Sequence, residues 1–117
     1  MKELRNLTRG TLVAARVEEA TRFFARLRGL LGRDGLAEGA GFLIAPCSSI
    51  HTFFMRFPID VLFLGEGGRA LRAISALRPF RTTRIYPAAA CVVELPAGAL
   101  ARSNTAEGDQ LHLGDEA

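Results

Sequence analysis

Tryptophan is absent from this sequence, tyrosine and lysine each occur once, and cysteine, histidine and methionine occur twice each. No CxxC or HxxxH spacing is present, so the common zinc-binding patterns are missing. The Gly39-Ala40-Gly41 stretch lacks the preceding strand and the spacing of a dinucleotide-binding loop, and no P-loop occurs. No apolar run approaches the roughly 20 residues needed to cross a bilayer, and the first ten residues, MKELRNLTRG, lack the apolar core of a secretory signal. These absences lead to the expectation of a cytoplasmic protein without membrane or cofactor. Cys47 and Cys91 are then free thiols, which behave as small hydrophobes when buried.

What is present points to one compact domain over residues 1–117. Nearly half of the chain is apolar at 49%, no polar tract is long enough for a disordered tail, and 117 residues suffice to bury a core without metal or disulfide. Fourteen arginines and one lysine stand against twelve acids, a formal charge of +3. Arg69, Arg72, Arg78, Arg81 and Arg84 lie close together in sequence. A solvated rim explains them more simply than nucleic-acid binding, which also requires exposed aromatics interleaved with the cations; only Phe80 and Tyr86 are placed for that.

Hydrophobic periodicity predicts the elements. Alternation over residues 11–17 predicts a strand. From Glu18 the spacing changes: Ala20, Phe23, Phe24, Leu27, Leu30 and Leu31 recur at intervals of three and four, predicting an amphipathic helix that ends at Gly32. Residues 50–57 and 59–64 read as strands separated by Pro58, and the glycine-rich turn at residues 65–68 predicts a returning strand over residues 69–77. Residues 91–95 and 110–113 add strands, and residues 99–103 a brief helix. The expected fold is α+β and mainly antiparallel, a sandwich, jelly roll or small barrel with the N-terminal helix packed on it.

Four stretches, GLLGR at residues 29–33, FFMRFPIDVLFL at 53–64, VVELPAG at 92–98 and EGDQL at 107–111, occur in an order that resembles the prokaryotic uncharacterised ACR proteins, domain of unknown function 192. The resemblance covers nearly the whole chain and implies a compact, mainly β domain of sandwich or jelly-roll type. It implies no activity. Many relatives carry Trp before the central methionine, where this chain has Phe54 before Met55. Met55, Asp60, Glu94, Gly98 and Asp109 are the matching positions most worth testing.

The stretch CSSIHTFFMRFPID, residues 47–60, concentrates the chemically capable side chains. Phe53, Phe54, Met55 and Phe57 are assigned mainly to packing. Asp60, next to the apolar run VLFL, needs a partner if buried, and so does Glu94 within VVELPAG. The preferred arrangement is a pocket shared by Arg56, Asp60 and Glu94 that recognises a small polar ligand or a protein partner. Two alternatives use the thiols: a small hydrolase or thiol enzyme built on Cys47, His51 and Asp60, and a metal site built on Cys47, His51 and Cys91. Along one strand Cys47 and His51 would lie roughly 13 Å apart, so the dyad requires a bend.

Overall fold

The structure, a computed structural model, describes residues 1–20 and 34–115. Seven strands form one sheet: β1 (Lys2–Asn6), β2 (Thr11–Ala20), β3 (Ala40–Ile44), β4 (Ile59–Gly65), β5 (Ala70–Leu77), β6 (Ala89–Pro96) and β7 (Leu111–Asp115), in the order β5-β4-β6-β3-β2-β1-β7. Every neighbouring pair is antiparallel except β2 and β3. A single helical turn, α1 (Ala99–Arg102), follows β6.

The sheet curls into a half-barrel until its two edge strands touch at one end. Leu111 N–H donates to the Gly68 carbonyl (2.9 Å), Ala70 N–H to that of Asp109 (2.8 Å) and Gly108 N–H to that of Ala70 (2.8 Å). Twist accumulated over seven strands thus brings ends that are remote in sheet order into contact, leaving less edge backbone exposed.

Both faces of the central strands are buried, which is why β4 reads as the continuous apolar run VLFL rather than as an alternation. Leu62, Leu64, Val93 and Leu95 point to one face, with Leu4, Ala14, Leu43, Leu100 and Leu111. Val61, Phe63 and Val92 point to the other, with Phe42, Ile44 and Met55. Tyr86 packs at a tilt against Phe63 there, with ring centroids 4.7 Å apart.

The α+β expectation is overturned. Among the described residues the fold is one curled β sheet with a short helix in its C-terminal part, not two packed sheets bearing an N-terminal helix. Glu18, Glu19 and Ala20, read as the first turn of that helix, continue β2 and pair with Phe42, Leu43 and Ile44 of β3. Glutamate and alanine favour helix intrinsically, but a strand already paired to a neighbour overrides so small a preference. The remainder of the expected helix, residues 21–33, lies outside the described residues. The expected strand at residues 50–57 is a looped segment whose β pairing is confined to the isolated His51–Thr82 bridge.

Candidate functional site

The β4–β6 register decides the relation between Asp60 and Glu94. Asp60 pairs with Leu95 and Val61 with Glu94, and neighbours along a strand point to opposite faces, so the two carboxylates lie on opposite sides of the sheet. Asp60 is fully buried. Its Oδ1 accepts Ala76 N–H (2.9 Å), and its Oδ2 accepts Gly98 N–H (3.1 Å) and Leu100 N–H (2.9 Å). A carboxylate so placed fastens α1 and the end of β5 to β4. Glu94 sits between Phe42 and Val61 on the apolar second face, where its Oε1 has no hydrogen-bond partner among the described residues. Burial there raises its pKa to about 7. Arg56 is exposed and pairs with Asp34 (2.6 Å). The structure therefore brings no two of Arg56, Asp60 and Glu94 together.

The thiol arrangements do not assemble either. Cys47 Sγ donates to the Ser49 carbonyl (3.1 Å), whereas the Nδ1 of His51 accepts Phe53 N–H (3.2 Å) and its ring stacks on Phe53 (5.2 Å). Each side chain is engaged locally. Neither cysteine is in a disulfide among the described residues, and Cys47 N–H bonds the Ala90 carbonyl beside Cys91 (3.3 Å). Burial first, then the neighbouring Cys47 and Glu66, push the Cys91 thiol up to about 11, which disfavours the thiolate needed by a nucleophile or a zinc ligand. Among the described residues no three His, Cys, Asp or Glu side chains converge as metal ligands would.

A different surface emerges from the same stretch of sequence. The segment at residues 47–58 lies against the segment at residues 78–87, and the two are stitched together by main chain and threonine. Thr52 N–H donates to the Arg81 carbonyl (2.8 Å) and Phe80 N–H to that of Thr52 (2.9 Å), with further bonds from Thr83 to Ile50 (3.0 Å) and from Tyr86 to Ser48 (2.8 Å). The fully buried Thr52 hydroxyl donates to the Arg78 carbonyl (2.6 Å) and accepts Arg81 N–H (2.9 Å). Thr83 Oγ1 accepts Ile50 N–H (3.0 Å). Such cross-linking makes the two segments one platform.

That platform displays aromatic rings to solvent. Phe54 is 74% exposed, Phe80 55% and Phe53 40%. Phe54 packs edge-on against Phe80 at 5.7 Å, and Phe53 lies 6.5 Å from Phe80. Phe54 (φ 66°) and Phe80 (φ 61°) both occupy the left-handed region, at a cost of roughly 1–3 kcal/mol each for residues without glycine's freedom. Arg56, Arg78, Arg81 and Arg84 are exposed in the same two segments, neither of which contains an acid. Of the five clustered arginines, Arg69 donates to the Gly108 carbonyl (2.8 Å), and Arg72 pairs with Glu107 (2.8 Å) while its Nε donates to the Tyr86 hydroxyl (3.3 Å).

The assignment of Phe53 and Phe54 to packing is thus corrected, whereas Met55 is buried as expected. The turn at residues 53–54 interrupts strand parity, and a local alternation rule cannot anticipate a positive φ at phenylalanine. A second polar group centres on Asp109, one of the positions singled out for testing. Asp109 Oδ2 accepts Arg9 Nε (3.0 Å), Asn6 Nδ2 (2.9 Å) and Ala106 N–H (2.9 Å), which hold its pKa down to about 2, and Asn6 also donates to Thr105 (3.1 Å). It ties the β1–β2 turn to the approach to β7. Asn6 and Arg9 carry no motif from which this role could be read.

The sequence profile of the family described as Uncharacterized ACR, domain of unknown function 192, matches residues 5–113. A "UPF0127 protein" of Thermococcus sibiricus (strain DSM 12597 / MM 739) is 32% identical over 110 residues, covering 91% of this chain and 71% of the relative. A crystal structure of a protein of unknown function from Novosphingobium aromaticivorans DSM 12444 superposes with a TM-score of 0.81 at 20% identity, over 95% of this chain and 82% of the other. A Sinorhizobium meliloti 1021 protein, provisionally described as a transcription regulator, gives a TM-score of 0.82 at 26% identity, over 97% and 94%. Among the described residues no helix is long and apolar enough to cross a membrane.

Proposed function

This chain belongs to the Uncharacterized ACR family, for which no specific function is established, and from its own surface we propose a cytoplasmic binding or accessory domain that recognises its partner through the platform of residues 47–58 and 78–87. The observation that carries this reading is the exposure of Phe53, Phe54 and Phe80 on a hydrogen-bonded support, two of them in a strained backbone. Exposed aromatics lose favourable burial, and left-handed phenylalanines add a conformational cost. Neither is explained by stability, and strain of this kind clusters at binding sites. Arginine, exposed in the same two segments, is among the residue types enriched in binding hot spots.

Of the residues first put forward for recognition, Arg56 keeps a place on this surface; Asp60 is engaged by backbone N–H groups and Glu94 is buried on the opposite face of the sheet. Catalysis is not favoured, because Asp60 is saturated by three N–H groups and Cys91 is held as a thiol. The test is amide chemical-shift mapping of the whole chain against a panel of small aromatic anions, nucleoside monophosphates and short acidic peptides. Shifts from any binders are expected to cluster in residues 47–58 and 78–87. Binders that instead perturb the neighbourhood of Glu94, or the β7 edge, would refute the platform as the recognition surface.

A further inference from the structure

We infer that the platform binds single-stranded nucleic acid, using Phe54 and Phe80 as stacking surfaces and Arg78, Arg81 and Arg84, together with Arg56, as phosphate contacts. This rests on the reading of the platform as the recognition surface and names the partner. By sequence alone only Phe80 and Tyr86 stand beside the arginines, too few to favour nucleic acid; the fold adds to them by turning Phe53 and Phe54 outward next to Phe80.

The partner must bring both ring faces and repeated negative charge. Arg78, Arg81 and Arg84 are exposed and form no ion pair among the described residues, and Arg56 is held only by an exposed pair with Asp34 that a phosphate can replace at little cost. Apolar and cationic side chains are interspersed along the second segment as Arg78, Phe80, Arg81, Arg84 and Ile85. A single strand offers the complement to both, with bases that stack on Phe and phosphates that pair with Arg. Duplex DNA keeps its base faces covered, so it would meet only the arginines. Stacking on Phe54 and Phe80 is tolerant of sequence, because every base has a ring face.

The experiment is fluorescence anisotropy of the full chain with labelled oligothymidylate, with a duplex, polyglutamate and phosphatidylserine-containing vesicles as competitors. Saturable binding is expected to weaken with salt at a log–log slope of about −2 to −3, as three or four phosphate contacts would give. Phe54→Ala and Phe80→Ala are each expected to weaken it about tenfold, Phe54→Trp to restore it, and Leu7→Ala, an exposed apolar residue outside the platform, to leave it unchanged. Polyglutamate that competes equally, together with indifference to Phe54→Ala, would reduce the surface to a polyanion contact and overturn the proposal. Vesicles that compete in an Ile85-dependent manner would overturn it in favour of lipid. No oligonucleotide binding, with small-molecule shifts still mapping to the platform, would overturn the nucleic-acid assignment alone; absence of both would remove the platform reading as well.

Discussion

Three backbone N–H groups converge on the Asp60 carboxylate, from Ala76, Gly98 and Leu100, and each would otherwise be left wanting in a buried setting. Asp60→Asn replaces one acceptor oxygen by a donor facing those N–H groups. We expect it to lower unfolding free energy by about 2–4 kcal/mol in urea titration. Glu94 and Asp109 act in opposite directions on pH dependence. The raised pKa of Glu94 means that its contribution is present below its ordinary value of 4.5 and is lost as pH rises through about 7. The cost is on the order of 3 kcal/mol for the fully ionised form. Asp109 is held near 2, below its ordinary 3.8, so its contribution is present above 3.8 and is lost as pH falls toward 2. Urea midpoints measured across pH should therefore peak near the ordinary carboxylate range and decline on both sides. Glu94→Gln should abolish the decline between pH 5 and about 7 while leaving the acid limb in place. An unaltered alkaline limb in that variant would contradict the burial of Glu94.

Among the elements, β4 shows how a sequence can be legible in type and silent in orientation. The apolar run VLFL, the glycine-rich turn and the alternation that follows identify β4 and β5 correctly. The partners of β4 lie far away in sequence, however, and only the register with β6 reveals that Asp60 and Glu94 face opposite sides. Residues 18–20 illustrate the converse. Their helical spacing is real, yet pairing with β3 extends β2 through them. The candidate site was half legible: the stretch CSSIHTFFMRFPID was identified as the place to look, but which of its side chains are displayed depends on a turn and on hydrogen bonds to residues 78–87. Thr52 embodies that dependence. Thr52→Val keeps its shape and removes the hydroxyl that joins Arg78 to Arg81, so amide exchange at Phe80 and Arg81 should accelerate while the amides of β4 stay protected.

For the whole molecule, closure of the half-barrel rests on the contact between the β4–β5 turn and β7. Gly68 has φ 92°, and a Cβ there would press into the Leu111 carbonyl oxygen, so alanine is opposed by both backbone conformation and space. Gly68→Ala should part the seam, costing about 1–3 kcal/mol and exposing the Leu111 amide to exchange. Normal exchange at Leu111 in that variant would show that the seam does not close the sheet. The platform lies on loops outside this framework, so the account separates stability, carried by the two-sided core around β4, from recognition, carried by exposed rings. The most direct measurement of that separation is the urea unfolding free energy of the double variant Phe54→Gly/Phe80→Gly. Relief of two left-handed conformations should offset glycine's greater unfolded-state freedom, leaving stability within about 1 kcal/mol of the parent or above it. A loss of about 3–5 kcal/mol, the range for truncating a core phenylalanine such as Phe63, would contradict the account by making these rings part of the fold rather than its binding surface.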